Sequence, residues 1–574
     1  MERTPKERIP KHFSNPNHPV CATSVASHLF IDGAATPPVS GGELPASHSF
    51  TPSMTACISL ILGRKMRGIV KRYILAAICV IAACLLVLGQ SSKGSLATLI
   101  QKGDRNAALE KIRAGADVNE AQPDGTRPIH WAVFKVDYEL LDALIAKKAT
   151  ADVSNEFGAT PLAEAVKVTD ARMVKTLLDA GAGVEGANLD GETALMLAIK
   201  TGALPIIQML IKAGANVNTV EKEQNQTPLM YASAARKNAG EMVKLLLSKG
   251  ADVKPRSLSY DWPTHISEEP RVQYHPFGGL TALLYAARDG CYDCVEALIA
   301  IGADVNVPTP EGVTPLMIAL DNDNNDIAKL LLDHGANPGV WDWYGRTALY
   351  IAVDRKDGGS SGGGLRVAVD PSHSVRSSVM DVIKALLAAN VDPSPELRMH
   401  RPTRGGYTGR FSDPLLDTGA TPLLRATIAN DMEVVQALLA KGASPNINAM
   451  GVTPFLVAAG VGGGQRGGGV TGGGAAFALM DVLLQHGADV NAQVTGTKTY
   501  SMRNARSPST NEGMTALHVA VQTGRADLVR YLLEKGANPE IADSNGRKAI
   551  DLLVPAAASA AEIRAMLQNA APKK

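Results

Sequence analysis

With 574 residues and a mass of 60.2 kDa, the chain has room for several ordinary domains or for one long repeat array. Hydrophobic residues at 45% and charged residues at 20% exclude general disorder and a polytopic membrane protein. The 57 Lys and Arg against 56 Asp and Glu exclude nucleic-acid binding driven by overall charge, and six cysteines in so long a chain exclude a disulfide framework.

In chain order, residues 1–65 carry neither helical nor strand periodicity, are rich in Pro, Ser and His, and are expected to be disordered. A basic stretch follows with Arg64, Lys65, Arg67, Lys71 and Arg72, then an apolar run over 74–88. As a helix that run reaches about 22 Å against about 30 Å of hydrocarbon, short for a stable span and well sized for the apolar region of a signal peptide. Val87 and Gly89 supply the small-residue positions of a cleavage site. The expectation is that Met66 is the true start, with 1–65 untranslated, and that 66–89 is a signal peptide or an N-terminal membrane anchor. A lipoprotein box ending at Cys84 is a lesser alternative, because the apolar residues after it do not suit lipidation. The localisation expected from this is periplasmic or secreted, with 74–88 as an optional anchor to the cytoplasmic membrane.

The remainder repeats itself. Segments of the form TPLMYAS begin at Thr126, Thr160, Thr193, Thr227, Thr281, Thr314, Thr347, Thr421, Thr453 and Thr515, and are 32–34 residues apart where nothing intervenes. A second marker of the form GADVN answers the heads of the uninterrupted units, as at Gly181, Gly214, Gly250, Gly302, Gly335, Gly442 and Gly536, and at Gly487 it closes a unit with an insertion. Thr at the head caps a first helix and Pro next to it fits the first turn. A second helix carries Leu177-Leu178, Leu246-Leu247 or Leu331-Leu332 inward, and Gly stops it where a positive φ is wanted. No such helix pair buries enough area alone, so stacking must make the core.

These markers resemble the ankyrin repeat family, and the resemblance covers 95–574, with a worn first unit near 96–119 and a worn last one after Gly546. It implies an all-α repeat solenoid of helix pairs joined by short β-turn fingers. The family's motif His is kept at His130 and His518, while Glu164, Met196, Met230, Leu284 and Tyr350 are read at its place elsewhere. Five insertions depart from the pattern. Those near 254–279, 394–419 and 492–513 lie in fingers, and those near 354–374 and 460–474 separate paired helices.

No chemistry of an enzyme assembles. Cys291 and Cys294 flank the start of a second helix without a thioredoxin-like βαβ context, and packing or a disulfide is expected of them. The glycine-rich insertions lack G-K-[ST] and a preceding strand, so no nucleotide site is read there. His265 and His275 with Asp261, Glu268 and Glu269 are too loosely spaced for a metal site. No cofactor and no metal are expected. The resemblance implies a protein-binding surface made of residues just before each head and of the exposed side of the first helices. Here that gives Trp343, Tyr344, Arg346 and Phe157 from the former, with Leu189, and Arg288 and Lys200 from the latter, with Phe134, Arg236 and Arg355. Trp343, Tyr344 and Arg346 form the most pointed cluster. The functional expectation is an exported, non-catalytic protein that binds other proteins through fingers and concave face. Alternatives are a structural or host-interaction envelope protein and an accessory or regulatory subunit of an exported enzyme. The partners are one or more proteins and not nucleic acid, with the N-terminal segment contacting or spanning the membrane.

Overall fold

The computed structural model describes residues 94–260, 276–356, 377–398, 419–449, 451–461, 474–495, 511–555 and 558–570. They fall into two compact units, one ending at Asn216 and one beginning at Val217. In the first, helices pair as α1 (Leu96–Lys102) with α2 (Arg105–Arg113), α3 (Pro128–Phe134) with α4 (Tyr138–Ala146), α5 (Pro161–Lys167) with α6 (Ala171–Asp179), and α7 (Ala194–Thr201) with α8 (Leu204–Lys212). In the second the pairs are α9 (Pro228–Ser233) with α10 (Ala239–Ser248), α11 (Ala282–Asp289) with α12 (Tyr292–Ala300), α13 (Pro315–Asp321) with α14 (Asn325–Asp333), and α15 (Ala348–Lys356) with α16 (Val379–Ala388). They continue as α17 (Pro422–Ile428) with α18 (Met432–Ala440), α19 (Pro454–Ala458) with α20 (Gly474–Gln485), and α21 (Ala516–Gln522) with α22 (Ala526–Glu534). A 3₁₀ turn at Ala549–Leu552 and α23 (Ala560–Ala570) close the chain.

Within each unit like helices pack side by side. α3 touches α1 and α5, and α5 touches α7; α11 touches α9 and α13, and α15 touches α13 and α17. The local chemistry explains the helices. Thr160, Thr281 and Thr421 accept from the N–H three residues on, at 3.1, 3.3 and 3.2 Å, and Pro161 and Pro422 occupy the first turn. One head is displaced: in α3 the cap position is held by Arg127, while Thr126 lies one residue earlier with its hydroxyl on Asp124 at 3.0 Å. The same register corrects the reading of Glu164. Ala163 occupies in α5 the place His130 holds in α3, and Glu164 sits one residue further on, paired with Lys167 at 2.9 Å.

The second helices end as expected, with Gly181 at φ 86° and Gly302 at φ 91°. Lys148 and Asn390 take the left-handed conformation in the two repeats without that glycine. The Asn closing GADVN does more than make a turn. Asn306 Nδ2 donates to Gly335 O at 3.1 Å and its Oδ1 accepts from Asn337 N at 2.7 Å, joining one repeat to the next. Asn218 and Asn446 do the same toward Gly250 and Asp252 and toward Gly487 and Asp489.

The first finger insertion is entered and left by a short antiparallel pair, β1 (Ser259–Tyr260) with β2 (Phe277–Gly278), in the register Ser259 to Gly278 and Tyr260 to Phe277. Gly278 is required there: at φ 84° a Cβ would lie 2.2 Å from Leu258 O. The cores of the insertions, including Asp261, His265, Glu268, Glu269 and His275, lie outside the described residues.

The expected localisation is corrected as well. Among the described residues no helix is long and apolar enough to cross a membrane. The periplasmic or secreted, membrane-anchored localisation and the membrane contact of the N-terminal segment are therefore withdrawn. The 74–88 run on which they rested, about 22 Å as a helix, is too short for the hydrocarbon core and lies outside the described residues.

Candidate protein-interaction surface

The fingers of the second unit are braced from within. Asp342 is buried, and its Oδ1 accepts from the backbone N–H of Tyr344 at 3.0 Å and of Arg346 at 2.8 Å. Its Oδ2 accepts from Arg346 Nε at 2.7 Å, and the rest of the guanidinium forks onto Asp321, at the end of α13, at 3.1 and 3.0 Å. Burial alone would lower the Arg346 pKa, but the Asp321 and Asp342 carboxylates outweigh it and hold the pKa above the ordinary arginine value. Arg346 thus lies inward as a strut, and Tyr344 is buried beside it.

Neighbouring fingers are tied by backbone. Trp343 N donates to Glu311 O at 2.7 Å, Arg398 N to Tyr344 O at 2.9 Å, and Leu258 N to Gln224 O at 2.6 Å. Arg256 Nη1 spans two fingers, reaching Gly279 O at 3.0 Å and Pro308 O at 2.8 Å. On this frame the apolar side chains stay outside: Trp341 is 47% exposed, Trp343 38%, Tyr260 42% and Phe277 36%. Tyr260 and Phe277 stack with centroids 4.8 Å apart, and the Arg398 guanidinium lies 3.5 Å from the Trp341 ring centre.

The model of the family described as ankyrin repeats (three copies) matches residues 96–188, 169–257 and 283–359, and that of the single ankyrin repeat matches 418–449 and 512–544. The chain belongs to the ankyrin repeat family. Among curated relatives of this ankyrin repeat protein, the B-cell lymphoma 3 protein homolog of Mus musculus is 31% identical over 157 residues, covering 24% of this chain and 34% of the relative. The mitochondrial disaggregase of Homo sapiens is 32% identical over 180 residues, covering 30% and 24%. The ankyrin repeat and SAM domain-containing protein 6 of Danio rerio is 29% identical over 225 residues, covering 37% and 29%. The chain therefore spans only 34% or less of the length of each of these relatives. The crystal structure of the human ASB11 ankyrin repeat domain aligns with a TM-score of 0.33 at 23% identity, covering 42% of this chain and 98% of that one.

The other sequence-derived residues are distributed over both units of the ankyrin array. In the first, Phe157 is half-buried in its finger, and exposed Lys200 pairs with Glu192. In the second, Arg288 is half-buried, forks onto Asp289 at 3.0 and 2.8 Å and lies 4.8 Å from the Tyr285 ring centre. Its burial lowers the pKa, and Asp289 more than restores it, leaving the pKa raised. Cys291 and Cys294 are joined by a disulfide across the start of α12, with both residues buried. Among the described residues no three His, Cys, Asp or Glu gather as a metal site. Sequence reasoning missed Tyr260 and Phe277 as surface residues. The signal was present in the aromatic character of the first finger insertion, whose two ends the β1–β2 pair brings face to face.

Proposed function

We propose that this ankyrin repeat protein binds another protein non-catalytically, with Trp343 and its neighbours on the second-unit fingers as the principal contact. The observation that carries this reading is the exposure of Trp341 and Trp343 on a finger whose backbone is clamped by the buried Asp342–Arg346–Asp321 group. Large rings on a rigid frame give contact area at little ordering cost. Tyr344 and Arg346 act through the frame as positioning residues, while Phe157, Lys200 and Arg288 are secondary contacts. A photo-crosslinking residue placed at Trp343 in the full chain, expressed in its own cells, should capture one dominant protein. The same residue at exposed Lys175 on α6 should not. Equal capture from both positions, or none from either, defeats the reading.

A further inference from the structure

We propose that the finger strip of Tyr260, Phe277, Pro308, Pro310, Trp341 and Trp343 receives a proline-rich segment of the partner in the polyproline II conformation. This rests on the protein-binding reading above and names the chemistry of the ligand. All aromatic members of the strongly exposed hydrophobic set, among the described residues, lie on these three consecutive fingers, and exposed Pro308 and Pro310 fill the finger between them. The fingers touch: the Cβ position of Gly279 lies 2.9 Å from Pro310 Cδ.

The polar inventory of the strip is lopsided. Two aromatic residues of the helix stack have their polar ends engaged: Trp131 Nε1 donates to Gln122 at 2.8 Å and the Tyr531 hydroxyl to Asp481 at 2.8 Å. Trp341 Nε1, Trp343 Nε1 and the Tyr260 hydroxyl make no hydrogen bond among the described residues. Four nearby backbone carbonyls by contrast already accept a hydrogen bond, Gly279 O and Pro308 O from Arg256, Glu311 O from Trp343 N, and Tyr344 O from Arg398 N. The strip thus joins exposed rings to unused side-chain donors, while four of its carbonyls already accept a hydrogen bond and the Arg398 guanidinium lies on the Trp341 ring.

That pattern discriminates among modes of peptide recognition. A docked helix keeps its carbonyls for itself and leaves the indole N–H groups unused. An added strand brings N–H groups that need acceptors. A proline-rich chain offers carbonyls without internal hydrogen bonds, has few N–H donors and packs flat rings on aromatic faces. Its three-residue turn rises about 9 Å, which matches the roughly 8–10 Å helix spacing that sets the step between fingers.

The test is fluorescence anisotropy of the full chain with a fluorescein-labelled Ala-Pro-Pro repeat peptide, compared with a Gly-Ser peptide of equal length and an amphipathic helical peptide. Only the proline-rich peptide should bind saturably. Trp343→Phe, which keeps a ring and removes the donor, should weaken binding by about 3- to 10-fold, and Trp341→Ala with Trp343→Ala should weaken it further, with circular dichroism unchanged. Equal binding of either comparator, no saturable binding, or binding indifferent to these variants overturns the proposal. If crosslinking at position 343 still captures a partner while the proline-rich peptide does not bind, the protein-binding reading survives and the ligand chemistry falls.

Discussion

His130 joins two repeats through one ring. Its Nδ1 accepts from the Arg127 backbone N–H at 3.1 Å, which places the proton on Nε2, facing Ala159 O at 3.1 Å. Burial pushes its pKa down from 6.5 to about 4, against the opposing pull of the Ala159 carbonyl. The unfolded chain therefore binds a proton that the folded one refuses. The stability involved is fully present above about pH 6.5 and drains as pH falls from there toward 4. In thermal melts over that window, His130→Gln should start less stable and lose less per pH unit than the parent. Parallel profiles would show that His130 does not carry the acid sensitivity. This histidine was legible because its motif is local. The role of Arg346 was not: the residue stands beside two aromatics like a contact, and only the fold reveals that Asp321, at the end of α13, reaches it from 25 positions earlier and turns it inward.

At the scale of the element, the join between successive hairpins is made by side chains as well as by apolar faces. Asn306 contributes two hydrogen bonds to the next repeat, one as donor to Gly335 O and one as acceptor from Asn337 N. Asn306→Ala removes both and should cost about 1–2 kcal/mol in urea unfolding, while Asn306→Asp keeps the acceptor and should cost less. Equal losses would mean the acceptor half contributes nothing. The head and tail markers predicted helix starts and stops because caps are encoded within a few residues. They did not predict this bridge, since an Asn in a turn is locally sufficient as a turn former and its partner lies a full repeat away. The ends of the first helices carry no such marker. Val136 at φ 54° and Thr169 at φ 57° hold a position where Gly202 and Gly290 stand in other repeats, a conformation that β-branched residues do not announce.

At the scale of the molecule, each compact unit is a sum of neighbour interfaces rather than one central core, because like helices touch only those beside them. The period of the sequence exposed that architecture, since a repeat of 32–34 residues fixes what packs on what before any coordinate is known. Such a stack should fail locally. Leu298, fully buried in α12, is surrounded by its own hairpin and the adjoining ones. Leu298→Ala should cost about 2–5 kcal/mol through lost burial and the cavity left behind. In native-state hydrogen exchange that loss should appear in α10 to α14 and fade along the second unit, leaving the α21–α22 amides at their original protection. Uniform acceleration from α9 to α22 would instead mark the unit as a single cooperative block. The clamped finger carrying Trp341 and Trp343 would then owe its rigidity to the whole unit, not to the two hairpins that flank it.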